Sequence, residues 1–344
     1  MSTLWAILAV GALIVVHEAG HFVVARLCGM KVERFSIGFG PALLSWRRRK
    51  EGTLFQLAPI PFGGFVEIKG MNIVEDVDPT DAAAYPNRPA WQRFVTIFAG
   101  PATNYLFAVV LALILFGAAG LPAHKPAIYT VDSTEEGFDA FGKLEKGDRF
   151  VAVNGDPLVR SLSDVVAEIG DGEAVFTVDR GGQSVDVKMH PKKDDEGRYR
   201  LGVGLKVTVP TERHAIGFGR AIKESIIYPF AQTKLILVGL YEWISGKQEG
   251  RVSSVVGITQ VVKHAIEESW VAAVELLMIL NVYLGLINLF PLPALDGGRL
   301  VFLSYEMVTR RRANPKLEAT IHMVGVLVLA VLLVVVTVND CRHL

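Results

Sequence analysis

Two histidines four residues apart, His17 and His21, bracket a glutamate in VVHEAGHF, Val15 to Phe22. On a helix such residues lie one turn apart, about 6 Å along the axis and about 40° around it. Both imidazoles then reach one ion. Glu18, next to the first of them, is placed to take a proton from water rather than to bind the ion. This is the HExxH spacing of zinc hydrolases. A catalytic zinc usually has three protein ligands and one open position, and the third ligand is His, Asp, Glu or Cys. Asp296 is the candidate. It stands in NLFPLPALDGGRL, Asn288 to Leu300, after Pro291 and Pro293 and before Gly297 and Gly298. The prolines break a helix there and let the carboxylate turn inward. The plainer alternatives are a hydrogen-bonded polar trio for HEAGH and a turn residue at a helix end for Asp296.

These residues need elements that bring them together, and the hydropathy supplies them. The chain is 51% hydrophobic and 20% charged, with a mean hydropathy of +0.37. That mixture predicts membrane spans joined to a water-facing domain. Four segments are long and apolar enough to cross a bilayer: Leu4 to Leu27, Phe94 to Gly120, Trp270 to Phe290 and Ala319 to Val338. HEAGH falls in the first. A charge at the bilayer centre costs roughly 2.5–3.5 kcal/mol on insertion scales, so such a cluster in a span points to function. WRRRK (Trp46 to Lys50) lies between the first two spans, and Arg310, Arg311, Arg312 and Lys316 lie between the last two. The positive-inside rule makes both connections cytoplasmic and puts the termini and residues 121 to about 269 outside. His17, His21 and Asp296 then lie at comparable depth, toward the cytoplasmic face. The net charge of +0 gives no electrostatic footprint for nucleic acid. Cys28 and Cys341 have no metal or disulfide spacing. MSTLW lacks the basic start of a cleavable signal, so the first span is expected to be retained.

The expected fold class is a multi-span α-helical membrane protein with four transmembrane helices, a membrane-associated β segment and an inserted small α+β domain. In the outer segment, KGDRFVAVNGDPL predicts a strand and an Asn-Gly turn, LSDVVAEIGDG a short helix, and AVFTVDRGGQSVDVKM a hairpin turning at Gly181 and Gly182. Four regions follow: 1–120 with the first two spans, HEAGH and a cytoplasmic β segment; 121–208, the small extracytoplasmic domain; 209–269, amphipathic or interfacial helices; and 270–344, the last two spans with LDG. Ala221 to Ile244 is read as interfacial, because Lys223, Glu224, Pro229 and Lys234 interrupt it and another crossing would break the charge alternation.

Taken together the motifs resemble the site-2 protease family of intramembrane zinc metalloproteases, over nearly the whole chain. HEAGH matches the family HExxH and ALDGG (294–298) its LDG. FSIGFGP and PFGGFVEIKG are similar to the β segment after the first span, FAGPATN to the GPxxN signature, KLEKGDRFVAVNG to an inserted PDZ domain, and SSVVGITQ to the GPVGI stretch. The bacterial RseP-like subgroup is the nearest in pattern. Differences from it are room for one PDZ domain instead of two, Ser254-Val255 where Gly-Pro is typical, and Arg299 where His is common after the two glycines.

The resemblance implies hydrolysis of peptide bonds within transmembrane segments of pre-trimmed single-span proteins, such as anti-sigma factors, in regulated intramembrane proteolysis at a bacterial inner membrane. It implies zinc on His17, His21 and Asp296, Glu18 as general base, and Asn288 as a residue that holds substrate. Asn104 is a second candidate for substrate binding, with an interhelical hydrogen bond as the alternative. The strand-forming segments Val32–Ile37 and Leu54–Ile68 offer an edge for an extended substrate. The PDZ-like domain would capture a substrate terminus or exclude uncut ectodomains. A zinc transporter or sensor, and an inactive relative that binds membrane helices, are the rival classes. His322 is either near the site or simply packed. His124, His190, His214, His264 and His343 show no ligand spacing.

Overall fold

The computed structural model describes residues 2–49, 52–72, 77–123, 126–194, 197–208, 212–245 and 254–342. His124 and His343, and Lys50 of the basic run, lie outside them. The chain divides into two compact units, Met1–Ala119 with Ile216–Leu344, and Gly120–Ala215.

The first unit begins with α1 (Ser2–Leu27), then β1 (Val32–Phe39), β2 (Leu44–Arg47), β3 (Leu54–Leu57), β4 (Ile60–Ile68) and α2 (Ala90–Ala119). The second holds β5 (Leu121–Pro122), β6 (Ile128–Thr134), β7 (Arg149–Val153), β8 (Asp156–Pro157), α3 (Leu162–Ile169), β9 (Ala174–Arg180), β10 (Gln183–Met189), β11 (Lys192–Lys193), β12 (Tyr199–Arg200), β13 (Val203–Thr208) and β14 (Arg213–His214). The first unit resumes with α4 (Phe218–Ile244), α5 (Val255–Glu268), α6 (Trp270–Leu289), α7 (Asp296–Thr309) and α8 (Pro315–Arg342).

Four helices are long and apolar enough to cross a membrane: α1, α2, α6 and residues Lys316–Val338 of α8. They coincide with the four expected spans. At about 1.5 Å per residue, 20 to 30 residues match or exceed a hydrocarbon core of about 30 Å. Helix α1 runs toward the β segment and α2 returns beside it. Their close approach depends on small residues: a Cβ on Gly20 would stand 2.3 Å from both the Ala99 carbonyl and Thr103 Oγ1. Gly29 (φ +73°) lets the chain leave α1 sharply, with the Met30 amide donating back to the Ala25 carbonyl. The strands then pack on the end of α1 through Met30, Val32 and Ile68.

The sheet order β2-β3-β1-β4 leaves β4 at an edge. β4 is antiparallel to β1, with Phe35 opposite Val66 and Ile37 opposite Gly64. The glycines of PFGGF have steric reasons. A Cβ on Gly63 would overlap the Phe39 ring at 1.8 Å, and one on Gly64 would come 2.8 Å from the Ser36 carbonyl and 3.6 Å from Glu18 Cγ. β4 thereby passes directly over the helix that carries HEAGH.

The segment 221–244, expected to be interfacial, lies within one continuous helix, α4. Helix α4 runs alongside α2 and α6: the Tyr228 ring meets Phe116, and Tyr105 Oη lies 2.8 Å from Thr233 Oγ1. Its last turns, through Trp243, share a cavity wall with the end of α6 at Phe290. Helix α5 then runs back along α1, packing Val262 on Ala6 and Val10, and Glu267 accepts a hydrogen bond from Ser2 Oγ at 2.6 Å. Ser254, at the position where the resembling family has glycine, caps α5 by accepting from the Gly257 amide.

The second unit follows the sequence expectations closely. Its sheet has the order β10-β9-β7-β6-β13, with β8 on β7. Asn154 (φ +53°) and Gly155 (φ +85°) form the turn from β7 to β8, and Gly181 and Gly182 turn β9 into β10. Helix α3 stops at Gly170 (φ +62°). Phe176, Val178, Val131 and Met189 form its core. Buried Asp148 is bound by the Arg180 guanidinium at 2.7 and 2.8 Å, which holds its carboxyl below the usual aspartate range.

Candidate metal centre

Three elements meet beyond the midpoint of α1. The helix supplies His17, Glu18 and His21. Helix α6 ends at Leu289, with Phe290 as its extended cap before Pro291, and the chain crosses in Leu292–Leu295 to start α7 at Asp296. This crossing is tight. A Cβ on Gly297 would lie 2.1 Å from the Phe290 carbonyl and 2.5 Å from that of Leu289, so the turn closes only with glycine there. Ala294 takes the left-handed conformation (φ +73°), at a cost of roughly 1–2 kcal/mol for a non-glycine residue. Its amide donates to His322 Nδ1 of α8 at 3.0 Å, and Gly325, one turn on, packs on Pro293. His322 thus holds the turn that presents Asp296. The sequence reading, which placed Asp296 just after a proline-broken helix end, did not include α7. Its apolar positions at Leu300, Leu303 and Met307 have helical spacing, but the paired glycines mask the start.

The donor atoms converge. His17 Nε2 lies 3.2 Å from His21 Nε2; Asp296 Oδ2 lies 3.1 Å from the first and 3.3 Å from the second. The other ring nitrogens are tied down. His21 Nδ1 is 2.8 Å from the Thr96 carbonyl, which only accepts, so Nδ1 carries the proton and Nε2 a lone pair. His17 Nδ1 is 3.1 Å from the amide of Asn104, which is fully buried and whose other amide atom has no partner. Turning that amide over lets its oxygen accept from the His17 N–H and gives both histidines the same tautomer. Asn104 therefore sits behind His17 as its orienting partner, the interhelical alternative, and its amide contacts the ring rather than open space.

Three acceptor atoms then face one another: two bare imidazole nitrogens and a carboxylate oxygen that is buried and has no hydrogen-bond partner. Without a cation this is repulsive. With zinc–ligand bonds of about 2.0–2.1 Å, a tetrahedral site places its ligand atoms about 3.3 Å apart, so the set fits zinc. Gly100 makes room for it on the α2 side: a Cβ there would lie 2.3 Å from His21 Nε2 and 2.9 Å from His17 Cε1. The FAGPATN motif carried this signal, and its physical basis is the absence of a side chain.

A cavity of about 230 Å³ opens beside the cluster. His17, Glu18, His21, Asp296 and Asn288 line it, with Phe65 and Val66 of β4 on the facing wall. Glu18 is not part of the converging set; it is half-buried and hydrogen-bonds the backbone at Val66. Asn288 is half-buried, and its Nδ2 donates to the Leu284 carbonyl at 2.9 Å.

A helical bundle with an HExxH helix, an aspartate delivered by a broken helix and a cavity of about 230 Å³ at their junction defines a zinc metalloprotease with helices apolar enough to cross a membrane. The chain belongs to Peptidase family M50, the site-2 protease family, whose sequence profile matches residues 5–332. It is 31% identical to a candidate zinc metalloprotease of Fusobacterium nucleatum over 99% of this chain and 98% of that one. It is 31% identical to one of Brucella suis, over 94% and 91%. The zinc metalloprotease RasP of Geobacillus kaustophilus is 27% identical over 98% of this chain and 96% of its own. Among solved structures, the PDZ domain of an SdrC-like protein of Listeria innocua, 19% identical, covers 25% of this chain and 97% of that domain with a TM-score of 0.20, a likeness that carries no argument about the fold.

Proposed function

We propose that His17, His21 and Asp296 hold zinc and that Glu18 is the general base of an intramembrane protease. It cuts peptide bonds within the membrane-spanning segments of single-span proteins that another protease has already trimmed, anti-sigma factors among them. The observation that carries this reading is the convergence of three unprotonated ligand atoms at 3.1–3.3 Å, each histidine held by its far nitrogen. Bound there, zinc supplies a Lewis acid that polarises the scissile carbonyl and acidifies water. Glu18, beside Val66, takes the proton from the attacking water and delivers it to the departing amide nitrogen. Asn288 faces the same cavity and holds the substrate backbone. The test is cleavage of a trimmed single-span substrate by the purified protein. Cleavage is expected to stop on chelation and return with zinc; persistence in chelator excludes the reading.

The setting is a bacterial inner membrane. The WRRRK and Arg310–Arg312 connections face the cytoplasm, and the unit Gly120–Ala215, read as a PDZ-like domain, faces outward with both termini. Thiol labelling of cysteines placed at Ser45 and at Ser184 reads this out: only the second is expected to react from outside.

A helical substrate hides its carbonyls in internal hydrogen bonds, so it must extend before it is cut. β4 pairs with β1 alone among the described residues, which leaves one row of its backbone groups for a substrate strand beside Glu18. Proline at single positions of Val66–Ile68 is expected to slow cleavage about 10-fold or more while bound zinc stays at one equivalent, since a lost backbone hydrogen bond and a distorted edge remove roughly 1.5 kcal/mol of transition-state binding. Unchanged rates at every position discard the edge.

A further inference from the structure

A second and larger cavity, about 610 Å³, adjoins the catalytic one and shares Phe65, Val66, Ile68 and Met71 with it. Its other walls come from the start of α2, from α7 and from the start of α8. The charged groups facing it are Glu67, Arg93, Arg299, Arg312 and Glu318. Glu67 is paired with Arg34 at 3.1 Å, and Arg93 with Glu306. Arg299 has no hydrogen bond and no ion pair within 4.0 Å among the described residues, and Arg312 donates only to the Pro86 carbonyl, at 3.4 Å. Glu318 is the one acidic group left against these two guanidinium groups.

His322 adds a neutral donor to this wall. Its Nδ1 accepts from the Ala294 amide, so its proton sits on Nε2, and that Nε2 is buried without a partner. An orphaned N–H and an unpaired half-buried guanidinium lack acceptors, and a second guanidinium at the rim has one long contact to a carbonyl. They face one cavity, and a burial of this kind is offset only by a hydrogen-bond acceptor.

We propose that this cavity binds an acidic side chain of the substrate, read chiefly by Arg299, about four residues from the scissile bond. The inference rests on the proteolytic reading of the neighbouring site and on β4 as the shared wall. A chain laid along β4 passes from Val66, beside Glu18, to Ile68 at the end of the strand, and Gly70 and Asn72 of the second cavity follow in the turn beyond it. A substrate carboxylate carried past the end of β4 therefore arrives beside the donors. Arg299 stands three residues after Asp296, in the first turn of α7, so the residue that reads the substrate and the residue that holds the metal share one rigid element.

The experiment uses the full-length Glu18→Gln protein, which holds peptide without turning it over. The probes are fluorescent Thr/Val-rich extended peptides carrying one Asp, Asn or Lys at successive positions, with binding read by anisotropy. At one position Asp is expected to bind about fivefold more tightly than Asn, the range of a partly exposed ion pair. Adding Arg299→Gln removes the preference, and Arg299→Glu reverses it in favour of Lys, a result that misfolding does not produce. Equal affinity of the Asp, Asn and Lys peptides at every position overturns the proposal. So does a cavity taken by lipid phosphate, seen as a requirement for phosphatidylglycerol in vesicles that Arg299→Gln removes while peptide preference never appears. The two readings fail separately. Charge preference without cleavage of the tightest peptide by the wild-type protein sinks the proteolysis and keeps the site, and cleavage without charge preference does the reverse.

Discussion

Glu18→Gln is expected to lower kcat on a trimmed single-span substrate by about 10²–10⁴-fold, the usual contribution of a positioned general base, with little change in KM. The amide has the size of the carboxylate, so the space it occupies in the 230 Å³ cavity is kept. It has lost the capacity to take a proton. Zinc content is expected to remain at one equivalent by elemental analysis, because the converging set is His17, His21 and Asp296 and leaves Glu18 out. That combination separates the rival classes. A zinc transporter or sensor has no use for a base and transports or responds as before. An inactive helix-binding relative shows no cleavage to lose. A Glu18→Gln protein that retains zinc and cuts at the wild-type rate removes Glu18 from the mechanism; one that loses zinc makes it part of the metal set.

The legible part of this centre was the part made of side chains with chemical signatures. His17 and His21 announce a shared ion through their spacing, and Asp296 follows from depth, because α1 and α6 run in the same direction and the two prolines end α6 at the level of HEAGH. The partners that orient the ligands were not legible in the same way. The Thr96 carbonyl that fixes the His21 tautomer is backbone, and any residue type supplies one. Asn104 was visible as a polar residue in a span, but its partner was not. Whether an amide in the second span meets substrate or a histidine depends on the rotation of α2 about its axis, which hydropathy does not record. His322 acts through a backbone amide at Ala294, 28 positions away in sequence. The packing of α4 on α2 and α6 was not legible for a related reason: its interrupting Lys and Glu residues argued against a single crossing but did not say which neighbours its apolar residues meet.

Gly100→Ala tests how tightly the centre is built, and the expected result is loss of metal rather than loss of fold. The new methyl carbon would stand 2.3 Å from His21 Nε2 and 2.6 Å from its Cε1, with His17 Cε1 at 2.9 Å. It intrudes on the ligand atom itself. The ring cannot swing aside freely, because its Nδ1 donates to the Thr96 carbonyl on the same helix that carries Gly100. Nor can α1 simply back away, since Gly20 lies against Ala99 and Thr103 one turn from the site and β4 covers its other side. The methyl therefore displaces the imidazole and breaks either the hydrogen bond or the ligand geometry. Outer partners of metal-bound histidines are worth about 10–100-fold in metal affinity, and the expected weakening is at least in that range, read by competition with a chromogenic chelator. Gly117→Ala on the same helix is the control. A Cβ there meets nothing within 4 Å, so it alters helix propensity alike and should bind zinc as the wild type does. Wild-type zinc affinity in Gly100→Ala would mean that α2 does not pack on the histidines at this distance, and the tautomer argument built on Thr96 and Asn104 would fall with it.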